Sequence, residues 1–393
     1  MTVRLSAIAK SKGLLHPNQC GFLPGLSSAD ACLTLTHEIK TLQRPRLEVS
    51  TLFLDIKAGF DNGNASTLKA KLLASYIPSH MVDWVSSFLS ERTCTPGFQG
   101  SPNLSSPVSV GTPQGSPISR LLLLLYVAPL HMSVPRGLMV SYLDDFSITV
   151  AFPSYRGNIR RLQGLFSTIS AKGRDIGVYL SVPKTELIHW RTTCQRTPPS
   201  TAPIELEGYL FRPSRVIRCL GYWFTPALTS THHFRHRLSL AQAIFSFVKG
   251  LSSPRAGVQP FLCHRIASGL LLPILTYGSD LLTPRYTALR GINSFWHRVQ
   301  RWTTNNCIST PIPILARETC LPPIISCCRY RRRLAALRVA CALHTPTQPQ
   351  PDSHSPSPLS PPSEPKTRPG ILRKTSPLFN PPLTGRRRFP PRH

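Results

Sequence analysis

Apolar and polar residues alternate along residues 138–151, LMVSYLDDFSITVA, except at two adjacent aspartates. The alternation begins at Leu138 and resumes at Phe146 after the acids. A period of two in β-branched and aromatic residues predicts strands. We therefore predict a β-hairpin whose tip carries Asp144 and Asp145.

Other segments of residues 1–230 have equally clear periodicity. The run VSTLFLDI at 49–56 predicts a buried strand. SPISRLLLLLYVAPL predicts a helix with Ser116 as N-cap and Pro117 at the first helical position. A helix is also predicted around residues 155–173, and strands at 178–190 and 219–224. The mixture predicts an α+β fold rather than a doubly wound sheet.

Residues 232–343 are dominated by helical periodicity, with polar faces rich in Arg, His and Gln and almost free of acids. A small helical domain is expected here. The four residues Arg329, Arg331, Arg332 and Arg333 form either a solvated helix end or a patch that contacts a nucleic-acid backbone. The Pro-, Ser- and Arg-rich residues 344–393 are expected to be disordered.

The charge of the chain indicates a polyanionic partner. Its 393 residues include 46 Lys and Arg against 17 Asp and Glu, a formal net charge of +29. Such an excess is typical of nucleic-acid binding. An anionic membrane surface is the rival partner, but no apolar run has membrane-spanning length. The 11 cysteines have no framework spacing, which favours reduced thiols in an intracellular protein.

The adjacent aspartates admit two explanations. An aspartate stabilises a turn by bonding its own backbone, which requires only one of the two. Alternatively, a divalent cation relieves the repulsion between neighbouring carboxylates. A third acid, Asp55, ends the strand TLFLD. Three carboxylates at one point could hold two divalent ions, as nucleotidyl transfer requires. Asp61 is expected to be a turn or N-cap residue.

Five segments in order resemble motifs A to E of reverse transcriptases, with the character of non-LTR, LINE-type retrotransposons. They are FLDIKAGFDN (53–62), GTPQGSPIS (111–119), SYLDDF (141–146), GVYLSVPKTELIHW (177–190) and LGYWF (220–224). HPNQCGFLPGLSSADACLTLTHEI (16–39) resembles the segment before motif A in those elements, and ILTYGSDLL (274–282) is similar to the start of the thumb.

The resemblance implies a right-hand polymerase: an antiparallel palm sheet with packed helices, partial fingers, an all-α thumb-like domain and a disordered tail. The divisions are fingers at 1–50, palm at 51–230, thumb at 231–343 and tail at 344–393. The implied activity is RNA-directed DNA polymerase. The implied partners are an RNA template, a DNA primer or target DNA, and dNTPs, with no membrane and no obligate protein partner.

The resemblance also implies a role for each site residue. Asp55 and Asp144 would ligate two Mg²⁺ ions, or Mn²⁺, together with Asp145 and the carbonyl of Ile56. Phe60 would be a steric gate against a ribose 2′-OH, or else a plain core residue. Gln114, Gly115 and Tyr142 would line the nucleotide and primer end.

Two further motifs complete the implied site. Lys184 would protonate the leaving pyrophosphate, or else it is simply a solvated lysine. Leu220, Gly221 and Tyr222 would form the primer-grip hairpin, which positions the primer 3′-OH.

The chain also departs from the family pattern. Arg120 stands where the family usually has Pro, and the upstream finger strands have no counterpart, which suggests an N-terminally truncated fragment. The alternatives are therefore a catalytically inactive nucleic-acid-binding relic and, less well supported, a palm-type nucleotide cyclase. An element that must reach chromosomal DNA is expected in the nucleus.

Overall fold

The protein is organised around a five-stranded sheet with helices on both faces, as described by a computed structural model. The structure describes residues 1–344 except 24, 45, 58, 60–62, 96–104, 136, 192–200 and 252–258. The strands are β1 (Gln19–Cys20), β2 (Glu48–Asp55), β3 (Arg92–Cys94), β4 (Ser106–Val108), β5 (Met139–Tyr142), β6 (Asp145–Phe152), β7 (Glu186–Trp190), β8 (Ile204–Leu206), β9 (Tyr209–Phe211), β10 (Ile217–Cys219) and β11 (Tyr222–Phe224).

The helices surround this sheet and then form the second half of the described chain. They are α1 (Thr2–Ser11), α2 (Ser28–Leu42), α3 (Ala65–Ala74), α4 (Ser79–Leu89), α5 (Pro117–Met132), α6 (Tyr155–Asp175), α7 (Thr231–Leu251), α8 (Pro260–Ile266), α9 (Leu272–Thr276), α10 (Tyr286–Thr304), α11 (Ile312–Thr319) and α12 (Ile324–His344). A 3-10 turn covers Val182–Lys184, and a π-helical turn covers Ala267–Leu271.

The strand order of the sheet is β1-β5-β6-β2-β7. Strand β2 is antiparallel to both β6 and β7, and β5 forms the predicted hairpin with β6. The predicted antiparallel sheet is confirmed for β2, β5, β6 and β7, whereas the two-residue edge strand β1 runs parallel to β5, so the sheet is mixed. So short a strand leaves no periodic pattern in the sequence.

The predicted helix starts are confirmed where a capping residue precedes an apolar run. Helix α5 has Ser116 as N-cap and Pro117 in its first turn, and every residue from Leu121 to Ala128 is buried. Helix α6 confirms the helix predicted around 155–173. The cap of α3 is Asn64, whose side chain accepts the backbone N–H groups of Ser66 and Thr67. Asp61, expected at a turn or cap, lies outside the described residues.

Two predicted strands are shorter than expected. Only Glu186–Trp190 of the segment 178–190 is a strand, because Pro183 cannot donate to a ladder and lies in the 3-10 turn. The segment 219–224 is the end of β10, a turn and β11, since Leu220 and Gly221 adopt left-handed conformations. A strand cannot continue through two such residues.

Each face of the sheet has its own apolar core. Leu52 and Ile148 lie in a core that includes residues of α5 and α6, whereas Val49 and Trp190 lie in one that includes residues of α2 and α10. Side chains alternate along β2, so Asp55 is on the same face as Val49. The acid therefore faces the side of the sheet covered by the helical region.

The helical region is less regular than its sequence period predicts. The segment 261–282 is divided into α8, the π-helical turn and α9, and it leaves the helix after Thr276. No helix in the described part of the chain combines the length and apolar character needed to cross a bilayer.

Candidate active site

The hairpin and β2 bring the three predicted acids to one end of the sheet. Asp55 and Asp145 are register partners across β2 and β6, and partners of this kind have Cβ atoms about 4.5–5.5 Å apart. Asp144 occupies the turn, where its carbonyl accepts the N–H of Ile56 at 3.2 Å. The sheet register therefore aligns residues that are far apart in the sequence.

The electrostatics of this cluster favour a cation. Burial raises the pKa of Asp145 to about 6, and repulsion from Asp144 and Asp55 adds to this effect. Burial also raises the pKa of Asp144, and the charge of Asp55 acts in the same direction. A positive group placed among the three carboxylates would relieve this repulsion.

Lys184 already provides one positive charge at the cluster. Its Nζ lies 2.8 Å from Asp55 Oδ2, and this contact raises the pKa of the lysine. The 3-10 turn that contains Lys184 is held at the end of β2, because the N–H of Ser181 donates to the Asp55 carbonyl at 2.7 Å. Lys184 ends the 3-10 turn and its side chain is 70% exposed, so it reaches Asp55 from the solvent side.

The carboxylates of this cluster are suited to hard divalent cations, but in this structure they do not form a complete metal site. Carboxylate oxygens are the ligands that Mg²⁺ and Mn²⁺ prefer. Among the described residues, no three His, Cys, Asp or Glu side chains converge closely enough to hold a metal ion. One oxygen of Asp55 is instead paired with Lys184. A cation bound by that oxygen would displace the Lys184 ammonium.

The tip of the hairpin is fixed from the segment before β2. Leu143 adopts φ 58°, and its N–H donates to the carbonyl of Cys20 at 3.2 Å. A Cβ on Gly21 would lie 3.0 Å from the Leu143 side chain. A left-handed leucine is costly and persists only where its surroundings hold it.

The motif B segment forms the turn that leads into α5. Gly115 adopts φ 94°, a conformation that favours glycine. A Cβ at this position would have nothing within 4 Å, so the backbone conformation, and not lack of space, requires a glycine here. Gln114 is exposed beside it. The N–H of Gly111 donates to the carbonyl of Gly63 at 2.8 Å, which joins this segment to the one after motif A. Phe60 lies outside the described residues.

Arg120, the departure from the family pattern, packs on an aromatic ring. Its guanidinium lies 4.4 Å from the centroid of Phe22, in a cation–π contact. The Arg side chain is therefore accommodated at the start of α5.

The predicted primer-grip residues lie close to the acids. Leu220 and Gly221 form the two-residue turn between β10 and β11. Tyr142, Asp145 and Leu220 line one small pocket. The fold thus brings together parts of motifs C and E that the sequence separates.

Sequence reasoning assigned no role to the residues that hold this turn. Tyr277 and Arg237 donate hydrogen bonds to its two carbonyls, and Asp280 accepts one from Tyr222. The feature of the sequence that could have identified them is the segment ILTYGSDLL, where Tyr277 and Asp280 stand on either side of Gly278, which has φ 82°.

Basic side chains are exposed at two places, one on α12 and one where the β10–β11 hairpin meets α7. On α12, Arg329, Arg332 and Arg333 are exposed, Arg331 is partly buried, and Arg332 donates to Thr283 Oγ1 at 2.5 Å. The second surface, here the Trp223 face, consists of Arg218, Trp223, His232 and His236. Its two imidazole centroids lie 5.6 Å and 4.8 Å from that of the indole, and Arg218 is the cross-strand partner of Trp223.

The sheet, with its acid-bearing hairpin beside a strand that ends in an acid, defines a polymerase palm. Residues 1–224 match the family described as reverse transcriptase (RNA-dependent DNA polymerase), and the chain belongs to that family. The resemblance inferred from the five motifs is confirmed.

The chain is similar to proteins of Drosophila melanogaster transposons. It is 26% identical over 239 residues to the probable RNA-directed DNA polymerase from transposon BS, covering 59% of this chain and 26% of that protein. It is also 26% identical over 235 residues to the RNA-directed DNA polymerase from mobile element jockey, covering 58% and 25%. The chain thus spans about a quarter of the length of these curated relatives.

A solved structure, apo telomerase from Candida tropicalis, is similar at a TM-score of 0.45 and 13% identity. That similarity covers 80% of this chain and 50% of the telomerase chain.

Proposed function

We propose that this chain is the RNA-directed DNA polymerase part of a non-LTR retroelement protein, which extends a DNA primer with dNTPs on an RNA template. The observation that carries the proposal is the register pairing of Asp55 with Asp145, with Asp144 adjacent in the turn. Nucleotidyl transfer needs carboxylates that hold cations and no nucleophilic side chain. The membership in the reverse transcriptase family supports the same reaction.

Asp55 and Asp144 would hold two Mg²⁺ ions, or Mn²⁺, with Asp145 and the carbonyl of Ile56 beside them. When bound, such ions lower the pKa of the attacking hydroxyl and stabilise charge on the phosphate and the leaving oxygen. The raised pKa values of Asp144 and Asp145 support this assignment, because a cation removes the repulsion that contributes to them.

Lys184 would donate the proton that the leaving pyrophosphate takes up. Its contact with Asp55 places the ammonium beside the acids, and its exposed stem leaves it free to turn toward a substrate. A positioned donor of this kind contributes to the chemical step rather than to substrate binding. The same contact means that Lys184 must release Asp55 before it acts.

The remaining site residues would bind substrates. Gln114, Gly115 and Tyr142 would line the nucleotide and primer end, with Phe60 as steric gate. Leu220, Gly221 and Tyr222 would position the primer terminus. The pocket shared by Tyr142, Asp145 and Leu220 supports an arrangement in which primer contacts lie next to the metal ligands.

The nucleic-acid strands would lie along the arginines of α12 and the Trp223 face. Arg329, Arg331, Arg332 and Arg333 would contact phosphates. The Trp223 face would stack a base and bind its phosphate, since aromatic rings beside arginine suit single strands. Action on chromosomal DNA would place the protein in the nucleus.

Primer extension tests the proposal directly. The purified chain is given an RNA template, a labelled DNA primer, dNTPs and Mg²⁺, and is compared with Asp144→Asn. Template-dependent extension that is lost in Asp144→Asn is expected. Absence of extension by the unmodified chain, with binding of the primer–template intact in both proteins, would instead identify a catalytically inactive nucleic-acid-binding relic.

A further inference from the structure

The turn between β10 and β11 has an unusual backbone. Both of its residues are left-handed, Leu220 with φ 49° and Gly221 with φ 82°. Two-residue hairpin loops with this pattern usually carry Asn or Gly at the first position. A leucine there costs conformational free energy, so neighbouring groups must hold the turn in place.

Two residues of the helical region stabilise this turn. The Tyr277 hydroxyl donates to the Leu220 carbonyl at 2.8 Å, and Arg237 Nη2 donates to the Gly221 carbonyl at 2.7 Å. The Arg237 guanidinium lies 4.1 Å from the centroid of the Tyr277 ring, so each donor also orients the other. Both carbonyls of the turn are therefore engaged.

Tyr277 is itself held through its backbone. Its carbonyl is 2.9 Å from His233 Nε2. The other nitrogen of His233 accepts the N–H of Trp223 at 3.2 Å, which leaves Nε2 as the donor to Tyr277. Burial lowers the pKa of His233 to about 4, which keeps the ring in this neutral, bridging form.

Adjacent contacts leave little room for the turn to move. The Tyr222 hydroxyl donates to the carboxylate of Asp280 at 3.2 Å. A Cβ on Gly221 would lie 2.9 Å from the Tyr277 hydroxyl. Since Leu220 and Asp145 line the same pocket, a shift of the turn would change the space next to the acids.

We infer that Tyr277 and Arg237 are positioning residues for the primer, acting through the turn that they hold. Their donors neutralise the carbonyls that would repel an approaching phosphate, and Arg237 adds a positive charge. Among the described residues, no backbone–backbone hydrogen bond outside the helices and strands has the amide of Leu220 or Gly221 as its donor. This inference rests on the proposed polymerase function.

Tyr277→Phe separates the positioning role from general stability. The substitution keeps the ring on which Arg237 stacks and removes only the hydroxyl. We expect the KM for primer–template to rise about three- to tenfold, the range of one lost hydrogen bond, with the KM for dNTP unchanged. Tyr155→Phe is the matched control. It also removes a Tyr hydroxyl that donates to a backbone carbonyl, in this case that of Trp190.

A second variant tests the contact without relying on Tyr277→Phe alone. Gly221→Ala places a methyl against the Tyr277 hydroxyl, so its effect on primer KM should be smaller in the Tyr277→Phe background than in the unmodified chain. Strict additivity of the two substitutions would overturn the inference.

The two proposals fail in different ways. An unmodified chain that never extends a primer refutes the polymerase function. Extension that depends on Asp144, combined with unchanged primer KM in Tyr277→Phe or with equal effects in Tyr277→Phe and Tyr155→Phe, refutes only the positioning role.

Discussion

Lys184 Nζ lies 2.8 Å from Asp55 Oδ2, although the two residues are 129 positions apart. The contact joins the 3-10 turn before β7 to the end of β2. It connects the predicted proton donor with a predicted metal ligand. The lysine is exposed, so the contact contributes little to stability and its interest is chemical.

Replacing Lys184 should affect the rate of the reaction and leave substrate binding almost unchanged. Lys184→Gln removes the proton donor, and we expect kcat for primer extension to fall by about 100-fold. The KM for dNTP should change little. Steady-state extension measures both constants.

Lys172→Gln is the control for Lys184→Gln, because Lys172 forms a comparably exposed pair with Asp175 at 3.7 Å. It should leave kcat unchanged. Equal kcat values for the unmodified chain and Lys184→Gln would show that the lysine is only a solvated counter-ion.

The stability of the fold should depend on pH through Glu38. Burial raises the pKa of this carboxyl to about 7, and Asn18 donates to it at 2.8 Å. Between the ordinary pKa of a glutamate and about 7, the native state binds more protons than the unfolded state. Stability should therefore fall as the pH rises through this range.

Glu38→Gln keeps an acceptor for Asn18 and removes the ionisation. At pH 8 the variant should unfold about 2 °C higher than the unmodified chain, and at pH 5 the two should coincide. Thermal unfolding followed by circular dichroism measures the difference. Asp83→Asn, at an exposed position of α4, should produce no such pH-dependent gain. A difference that persists unchanged at pH 5 would contradict the role of Glu38.

The four arginines of α12 should determine part of the salt dependence of binding. Replacing Arg329, Arg331, Arg332 and Arg333 with Gln should make the slope of log K against log salt less negative by about 3 for a single strand. Fluorescence anisotropy with a labelled oligonucleotide measures the slope. Replacing the exposed Arg156, Arg160 and Arg161 of α6 is the control. An equal change in slope for each arginine replaced in the two variants would indicate non-specific attraction.

Trp223 should contribute to affinity by stacking rather than by charge. Trp223→Ala should weaken single-strand binding at least about fivefold and leave the salt slope unchanged, whereas Trp223→Phe should retain most of the affinity. The same anisotropy titration distinguishes these outcomes. Trp84→Ala is the control, because Trp84 is an exposed indole stacked on Phe88. A loss in Trp84→Ala as large as in Trp223→Ala would contradict a specific stacking site.

Local patterns in the sequence predicted the elements on which the site is built. The alternation around Asp144 and Asp145 predicted the hairpin, and Ser116 with Pro117 predicted the start of α5. These features depend on neighbouring residues, whose spacing matches one backbone period. The family resemblance was equally readable, because its motifs are short runs in a set order.

The pairing of distant groups could not be read from those patterns. The contact of Lys184 with Asp55, and that of Tyr277 with the Leu220 carbonyl, depend on strand order and on how the helical region packs against the palm. Periodicity indicates which face of an element is buried but not which partner covers it. The conformation of the turn at Leu220 and Gly221 also depends on groups that hold it from outside. Long-range packing therefore decided how the site is arranged, while the local sequence decided which residues were available to form it.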